Sequence, residues 1–168
     1  MIACAARNGV IGNGPHIPWS IREEFGHFTD LTMGFPCVMG DVTYESLPPK
    51  FKPLPGRENI VLSLDPGYIP AGATLFRDFQ QAMLHVRGLD TPRVFICGGA
   101  TIYRLALDLA DTLELTRLER DYEGDSTFPE VDPGIWALER AESAAGLDRL
   151  SGERVGFEYQ TWRRKRAP

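Results

Sequence analysis

Several short runs of this chain are apolar at consecutive positions rather than alternate ones. They are Ile2-Ala3-Cys4-Ala5-Ala6, Pro36-Cys37-Val38-Met39-Gly40, the centre of Glu58-Asn59-Ile60-Val61-Leu62-Ser63, and Arg93-Val94-Phe95-Ile96-Cys97. A strand that is apolar on both faces must be covered on both faces, as in a parallel sheet flanked by helices. The segments between the runs supply those helices. Ser20 is read as capping the first, with Glu23 completing a capping box. Asp41 to Leu47 reads as a brief helix ended by Pro48-Pro49, and Asp78 caps a helix reaching about Arg87. Thr74-Leu75-Phe76 is a short strand, and another helix runs from about Thr101 to Leu107. Three late strands, near 112–118, 136–142 and 155–162, include a hairpin and make the sheet mixed.

The chain has 168 residues, 43% of them hydrophobic, which suits one domain over 1–168 with a real core. A net charge of −5 argues against a general nucleic-acid binder. The basic run Arg163-Arg164-Lys165-Arg166 reads as a solvated chain end, with contact to an anionic partner as the second reading. Cys4, Cys37 and Cys97 lack metal-ligand spacing and sit in apolar runs, so reduced buried thiols, no metal site and a cytoplasmic protein are expected. No run is long enough to span a membrane, and no secretory signal is visible.

Glu24 is the first functional candidate. Ile21, Glu24, Phe25, Phe28 and Leu31 fall on one helix face, so a carboxylate stands inside an apolar stripe. It is either a partly exposed edge residue paired with an Arg, or an acid awaiting a ligand with donor groups. Gly40 and Gly98-Gly99 close two strands ahead of helices, where the ligands of open α/β sheets bind. The loop Asn8–Pro15, rich in glycine, has the freedom to move.

In the order and spacing of its motifs the chain resembles dihydrofolate reductase over nearly its whole length. The motifs are Val10-Ile11-Gly12, Pro18-Trp19, Glu24 with Phe28, Met39-Gly40, Thr43-Tyr44-Glu45-Ser46, Pro53-Leu54-Pro55-Gly56-Arg57, Leu62-Ser63, Gly98-Gly99 with Ile102-Tyr103, Leu115-Thr116, Gly124-Asp125 and Phe128-Pro129. The resemblance implies a mixed, mostly parallel eight-stranded sheet with helices on both faces. It implies hydride transfer from NADPH or NADH to C6 of dihydrofolate, with N5 protonated. Glu24 would take the pterin 2-amino group and N3 in a charge-assisted fork, held by Thr116. Ile2, Cys4, Phe25, Phe28, Leu47, Leu54 and Cys97 would wall the ring. Arg57, helped by Lys52, would clamp the glutamate tail. Ile17 and Trp19 belong to a mobile loop that Asp125 would hold. Around the cofactor the resemblance places Ala5, Ile11 and Gly12, then Gly40 to Thr43, then Leu62 to Asp65. It completes that site with Gly98-Gly99 (joined by a cis peptide), Ala100, Thr101, Ile102 and Tyr103, the last also counted as catalytic. It further implies a monomer open to antifolate inhibitors.

The departures from the family pattern cluster. Asp41 and Val42 stand where basic residues are usual, and Leu64 and Asp65 replace small hydroxyl or basic residues; these positions would face a 2′-phosphate. A phosphate calls for Arg or Lys, and a free ribose 2′-OH for an acid. The pattern points to a relaxed or NADH-leaning preference, against the alternative that Asp41 turns to solvent while Arg77 meets the phosphate. Cys97, in place of a branched residue, widens the pterin wall. Two rivals stand beside the reductase: the pyrimidine reductase of riboflavin biosynthesis, which shares the sheet, and a non-catalytic pterin- or nucleotide-binding relic.

Overall fold

The computed structural model describes residues 1–165, so Arg166 of the basic run lies outside the described residues. The elements in chain order are β1 Ile2–Ala5, β2 Val10–Gly12, α1 Arg22–Thr32, β3 Cys37–Gly40, α2 Asp41–Ser46, β4 Asn59–Leu62, β5 Thr74–Phe76 and α3 Phe79–Arg87. Then come β6 Phe95–Ile96, α4 Ala100–Ala106, β7 Thr112–Leu118, β8 Ser126–Thr127, β9 Trp136–Leu147 and β10 Arg154–Arg164. One half of the sheet is all parallel, in the order β5-β4-β3-β6. The other runs β1-β7-β10-β9, with β1 parallel to β7 and β10 antiparallel to both its neighbours. β2 and β8 form a small separate ladder.

The consecutive apolar runs are explained by covering on both faces. Val38 and Ile60 point into a cluster with Phe79, Ala82 and Met83 of α3 and Ile102 and Ala106 of α4. Their chain neighbours Cys37, Met39 and Val61 point the other way, against Tyr44 of α2 and Phe28 and Leu31 of α1. Ile2 shares that second cluster with Phe95, while Ala3 and Ala5 share the first with Ile96. Side-chain packing therefore brings β1 and β6 together, and the two halves make one eight-stranded core.

Four local expectations need correction. Ser20 does not cap α1: Ile21 takes the cap position with extended backbone and no side-chain bond. The backbone is instead gripped from 128 residues away, where Asp148 Oδ1 accepts the Ser20 N–H at 2.9 Å. The strand read over 93–97 is regular only at Phe95–Ile96. The late hairpin is longer than its apolar pattern, because β9 runs on to Leu147 as an exposed ribbon paired with β10. The basic run is pinned rather than loose: Arg163 Nε lies 3.0 Å from Glu139, and Arg164 donates to Ala110 O over the Trp136 ring. The Asp78 cap stands as read, accepting the Gln81 N–H at 2.9 Å.

Asp148 is fully buried and serves several donors at once. Oδ1 takes the N–H groups of Ser20 and Leu150, and Oδ2 takes the hydroxyls of Tyr122 and Ser151. Burial alone would raise this carboxyl, but the donors outweigh it and leave it below the ordinary carboxylate value. A depressed acid contributes stability above its unfolded pKa and loses it as the pH falls through the folded value. Asp148→Ala should cost about 3 kcal/mol at neutral pH by urea unfolding, through stranded donors, with Asp148→Asn costing less. A loss below about 0.5 kcal/mol for the Ala variant would show that the knot is not structural.

Candidate active site

A cleft of about 740 Å³ opens along the carboxyl ends of the parallel strands. Its size falls in the upper part of the range for ligand sites. At one end stand Glu24, Phe25 and Phe28 of α1, Ile2 and Cys4 of β1, and Leu47 and Leu54. The middle is floored by Gly40 and by Cys97, Gly98 and Gly99. The far end is formed by Asp41, Val42 and Thr43 and by the residues that follow β4, Ser63 to Asp65. The Gly12–Trp19 loop and Asp125 to Thr127 close one side.

The α1 stripe explains the near end. Ile21 is fully buried, but Phe25 is 42% exposed and, within α1, Thr32 alone is fully buried. The face is shared: Ile21, Phe28 and Leu31 pack on protein, while Glu24, Phe25 and one side of Phe28 look into the cleft, where a ligand would cover them. Glu24 sits in that face and burial pushes its carboxyl up to about 7, with the Cys4 thiol beside it pulling weakly downward. Burial and the Glu24 charge push the Cys4 thiol up in turn. No basic residue enters the balance at Glu24, so the surface ion pair is not what this acid makes. Thr116 does not enter it either: it is buried opposite Cys4 in the β1–β7 ladder.

The floor is built without side chains. Gly40 N–H donates to Gly98 O at 2.8 Å, which draws the ends of β3 and β6 together. The Gly98–Gly99 peptide is cis. Gly98 has φ +104°, and a Cβ there would stand 2.9 Å from the Tyr103 ring; one at Gly99 would stand 3.3 Å from Thr43 Oγ1. Only glycine leaves such a surface open to a flat ring or a phosphate, so the floor fits a dinucleotide. Tyr103 is locked beneath it, its hydroxyl donating to Ile2 O at 2.7 Å and its ring edge-on to Phe128. Thr101 and Ile102 line the same wall with Ala100.

The Gly12–Trp19 loop is tied down at two points. Asn13 and His16 exchange backbone bonds, and Asp125 accepts the Gly14 N–H at 3.0 Å while donating its own N–H to Gly12 O. Trp19 is buried edge-on against Tyr122, whereas Ile17 is 43% exposed at the cleft mouth. Gly124 allows the close approach, since a Cβ there would stand 2.3 Å from Gly12 O.

Four expected site residues lie outside the cleft wall. Ala5 is fully buried in the core beneath it, so its expected cofactor contact is corrected. Thr116 is buried beside Cys4, its register partner on the adjacent strand. Lys52 pairs with Glu45 at 2.7 Å. Arg57 stands behind Phe28, its guanidinium 5.9 Å from that ring and bonded to Thr32 Oγ1 at 2.9 Å. Sequence reading missed His16, Arg104, Ser126 and Thr127 in the wall. The Gly14-Pro15 turn was the one signal for His16, since a tight turn must return the chain to the cleft.

A family model described as dihydrofolate reductase matches residues 1–164. The chain is 40% identical over 160 residues to the dihydrofolate reductase of Neisseria gonorrhoeae, covering 95% of this chain and 93% of that one. It is 37% identical over 153 residues to that of Mycobacterium tuberculosis, covering 88% and 91%. Among solved structures, the dihydrofolate reductase from Enterococcus faecalis complexed with NADP(H) and RAB-propyl superposes with a TM-score of 0.83 at 25% identity, covering 98% of this chain and 95% of that one. These relatives favour the reductase over the pyrimidine reductase that the sheet alone allowed.

The Glu24 environment has a measurable sign. A raised acid destabilises the fold as it ionises, so stability should fall as the pH rises from about 4.5 through about 7. Glu24→Gln should therefore be more stable than the native protein at pH 8 by about 2 kcal/mol and indistinguishable near pH 4.5. Thermal unfolding of the ligand-free protein across that range tests it; a Glu24→Gln variant less stable at pH 8 would show an acid already well compensated.

Proposed function

The chain belongs to the dihydrofolate reductase family, and we propose that its cleft reduces 7,8-dihydrofolate to tetrahydrofolate with Glu24 as the acid that fixes the pterin. The carrying observation is the half-buried carboxyl in an apolar pocket, with its pKa at about 7, beside a floor of side-chain-free turns. A planar amidine-like edge offers two parallel N–H groups, which is what such a carboxylate lacks. Phe28, Ile2, Leu47 and Leu54 clasp the ring faces, and the small Cys97 leaves room at the inner wall. Inhibitors that present the same paired N–H edge would fit the same acid.

When bound, a reduced nicotinamide dinucleotide supplies the hydride that C6 accepts. The chain's own residues align the partners and manage the proton. Ionised Glu24 at the 2-amino and N3 edge would push electron density through the ring toward N5 and raise its basicity, and N5 would take its proton from water. Arg57, which is bonded to Thr32 and lies over Phe28, would hold a carboxylate tail outside the cleft, with Lys52 as a secondary cation. Ile17 and the Gly12–Trp19 loop cover the reacting edge, with Asp125 as their anchor. Three free thiols fit the reading of a single-domain cytoplasmic enzyme.

Initial-rate kinetics of dihydrofolate reduction tests the reading. Glu24→Gln should lower kcat by about a hundredfold or more at pH 7. Arg57→Ala should raise KM for dihydrofolate and leave unchanged the KM of a pteridine lacking the glutamate tail. Unaltered kcat in Glu24→Gln would overturn the role given to the acid.

A further inference from the structure

We infer that the far end of the cleft is an acceptor for an unphosphorylated ribose diol, so that this reductase binds NADH in preference to NADPH. The inference rests on the reductase reading and deepens it at one end of the same site. Gly40 and Leu62 are paired in the parallel ladder, so the residues just past them, Asp41 and Ser63, lie side by side. Ser63 Oγ donates to Asp41 Oδ2, and Oδ1 accepts the Val42 N–H at 2.7 Å. The Asp65 N–H reaches Ser63 Oγ at 3.2 Å. Asp41 is half-buried in the cleft wall and does not turn to solvent. A carboxylate held in this way accepts a hydroxyl and repels a phosphate dianion.

The cations of the cleft do not offset it. Arg77 is committed to the Ser63–Tyr68 loop, donating to the carbonyls of Ser63, Asp65, Pro66 and Tyr68. Meeting a phosphate would require it to release the loop that carries Ser63. Arg104 donates to Thr101 within α4, beyond β6, and β6 lies across β3 from β4. His16 is on the loop of the opposite wall. Among the described residues of the cleft wall these are the basic side chains; Arg77, 3.2 Å from Ser63 O, is the one beside the Asp41–Ser63 pair, and its donors are spent on the loop carbonyls.

Calorimetric titration of the whole protein with NADH, NADPH, adenosine 5′-diphosphate and adenosine 2′,5′-bisphosphate reads the ribose end without turnover. NADH should bind at least tenfold more tightly than NADPH, and the 5′-diphosphate more tightly than the bisphosphate. Asp41→Asn should narrow both ratios, and Asp41→Arg should reverse them. Tighter NADPH binding by the native protein, or ratios unmoved in both variants, would overturn the inference. Turnover of dihydrofolate alongside NADPH preference would keep the reductase and reject this site. The expected binding order without any dihydrofolate turnover would uphold the site and reject the reductase.

Discussion

The hydrogen bond from Gly40 N–H to Gly98 O organises the molecule. It continues the β3–β6 ladder past its last regular pair, after Cys97 N–H has met Val38 O at 2.8 Å. Two strand ends are thereby held level, and α2 and α4 start from them at Asp41 and Ala100. The register of β4 against β3 then puts Ser63 beside Asp41 on one side, while α4 lies on the other. The cleft is thus a consequence of parallel register: strands that end together leave their loops to surround one space. Glycine at the junction keeps that space open, since a side chain at Gly98 would strike Tyr103.

The same geometry leaves α1 weakly seated. A helix whose apolar face is shared between protein and cleft gains less from burial in the ligand-free protein, so polar contacts add to the packing of Phe28 and Leu31 in fixing its position. The structure supplies them at both ends. Asp148 grips the backbone before the helix, and Tyr159 donates to Glu23 O at 3.2 Å. At the other end Thr32 is buried, donates to Phe28 O at 2.7 Å and receives Arg57. Arg57 therefore joins the rim of the cleft to the end of the helix that carries Glu24, and a tail held there would also steady the helix.

How much of this the sequence discloses depends on range. The both-face apolar runs identify β1, β3 and β4, and Asp78 announces α3, because in each case neighbouring residues decide the outcome. Ser20 misleads for the opposite reason: Ser-Ile-Arg-Glu has the local form of a capping box, but Ile21 is held extended by its bridge to Asp148. Nothing near Ser20 signals an acid that distant. β9 is underread because its last residues are polar or small and pair with β10 without burying much. Glu24 was legible through its place in an apolar stripe. The cleft in front of it was not, since periodicity reveals an apolar face and not what the face meets. Thr116 follows the same rule: the resemblance gives its residue type, whereas its burial beside Cys4 depends on strand pairing.

The cleft carries carboxylates at its two ends, and their surroundings make them different chemical objects. Glu24 has apolar walls, a neighbouring thiol and, among the described residues, no cation shifting it, so its charge is costly until a ligand brings donors. Asp41 already holds the Ser63 hydroxyl and the Val42 N–H, so its charge is supported before anything binds. An unsupported acid gains most from a fork of N–H groups and can pass the electronic effect of its ionisation to the ring it grips. A supported acid has little to gain from ionic pairing and reads shape and charge, admitting a hydroxyl and rejecting an anion. In the proposed reading one residue class would serve reactivity at one end and selection at the other, the distinction lying in the donors already within reach of each carboxylate.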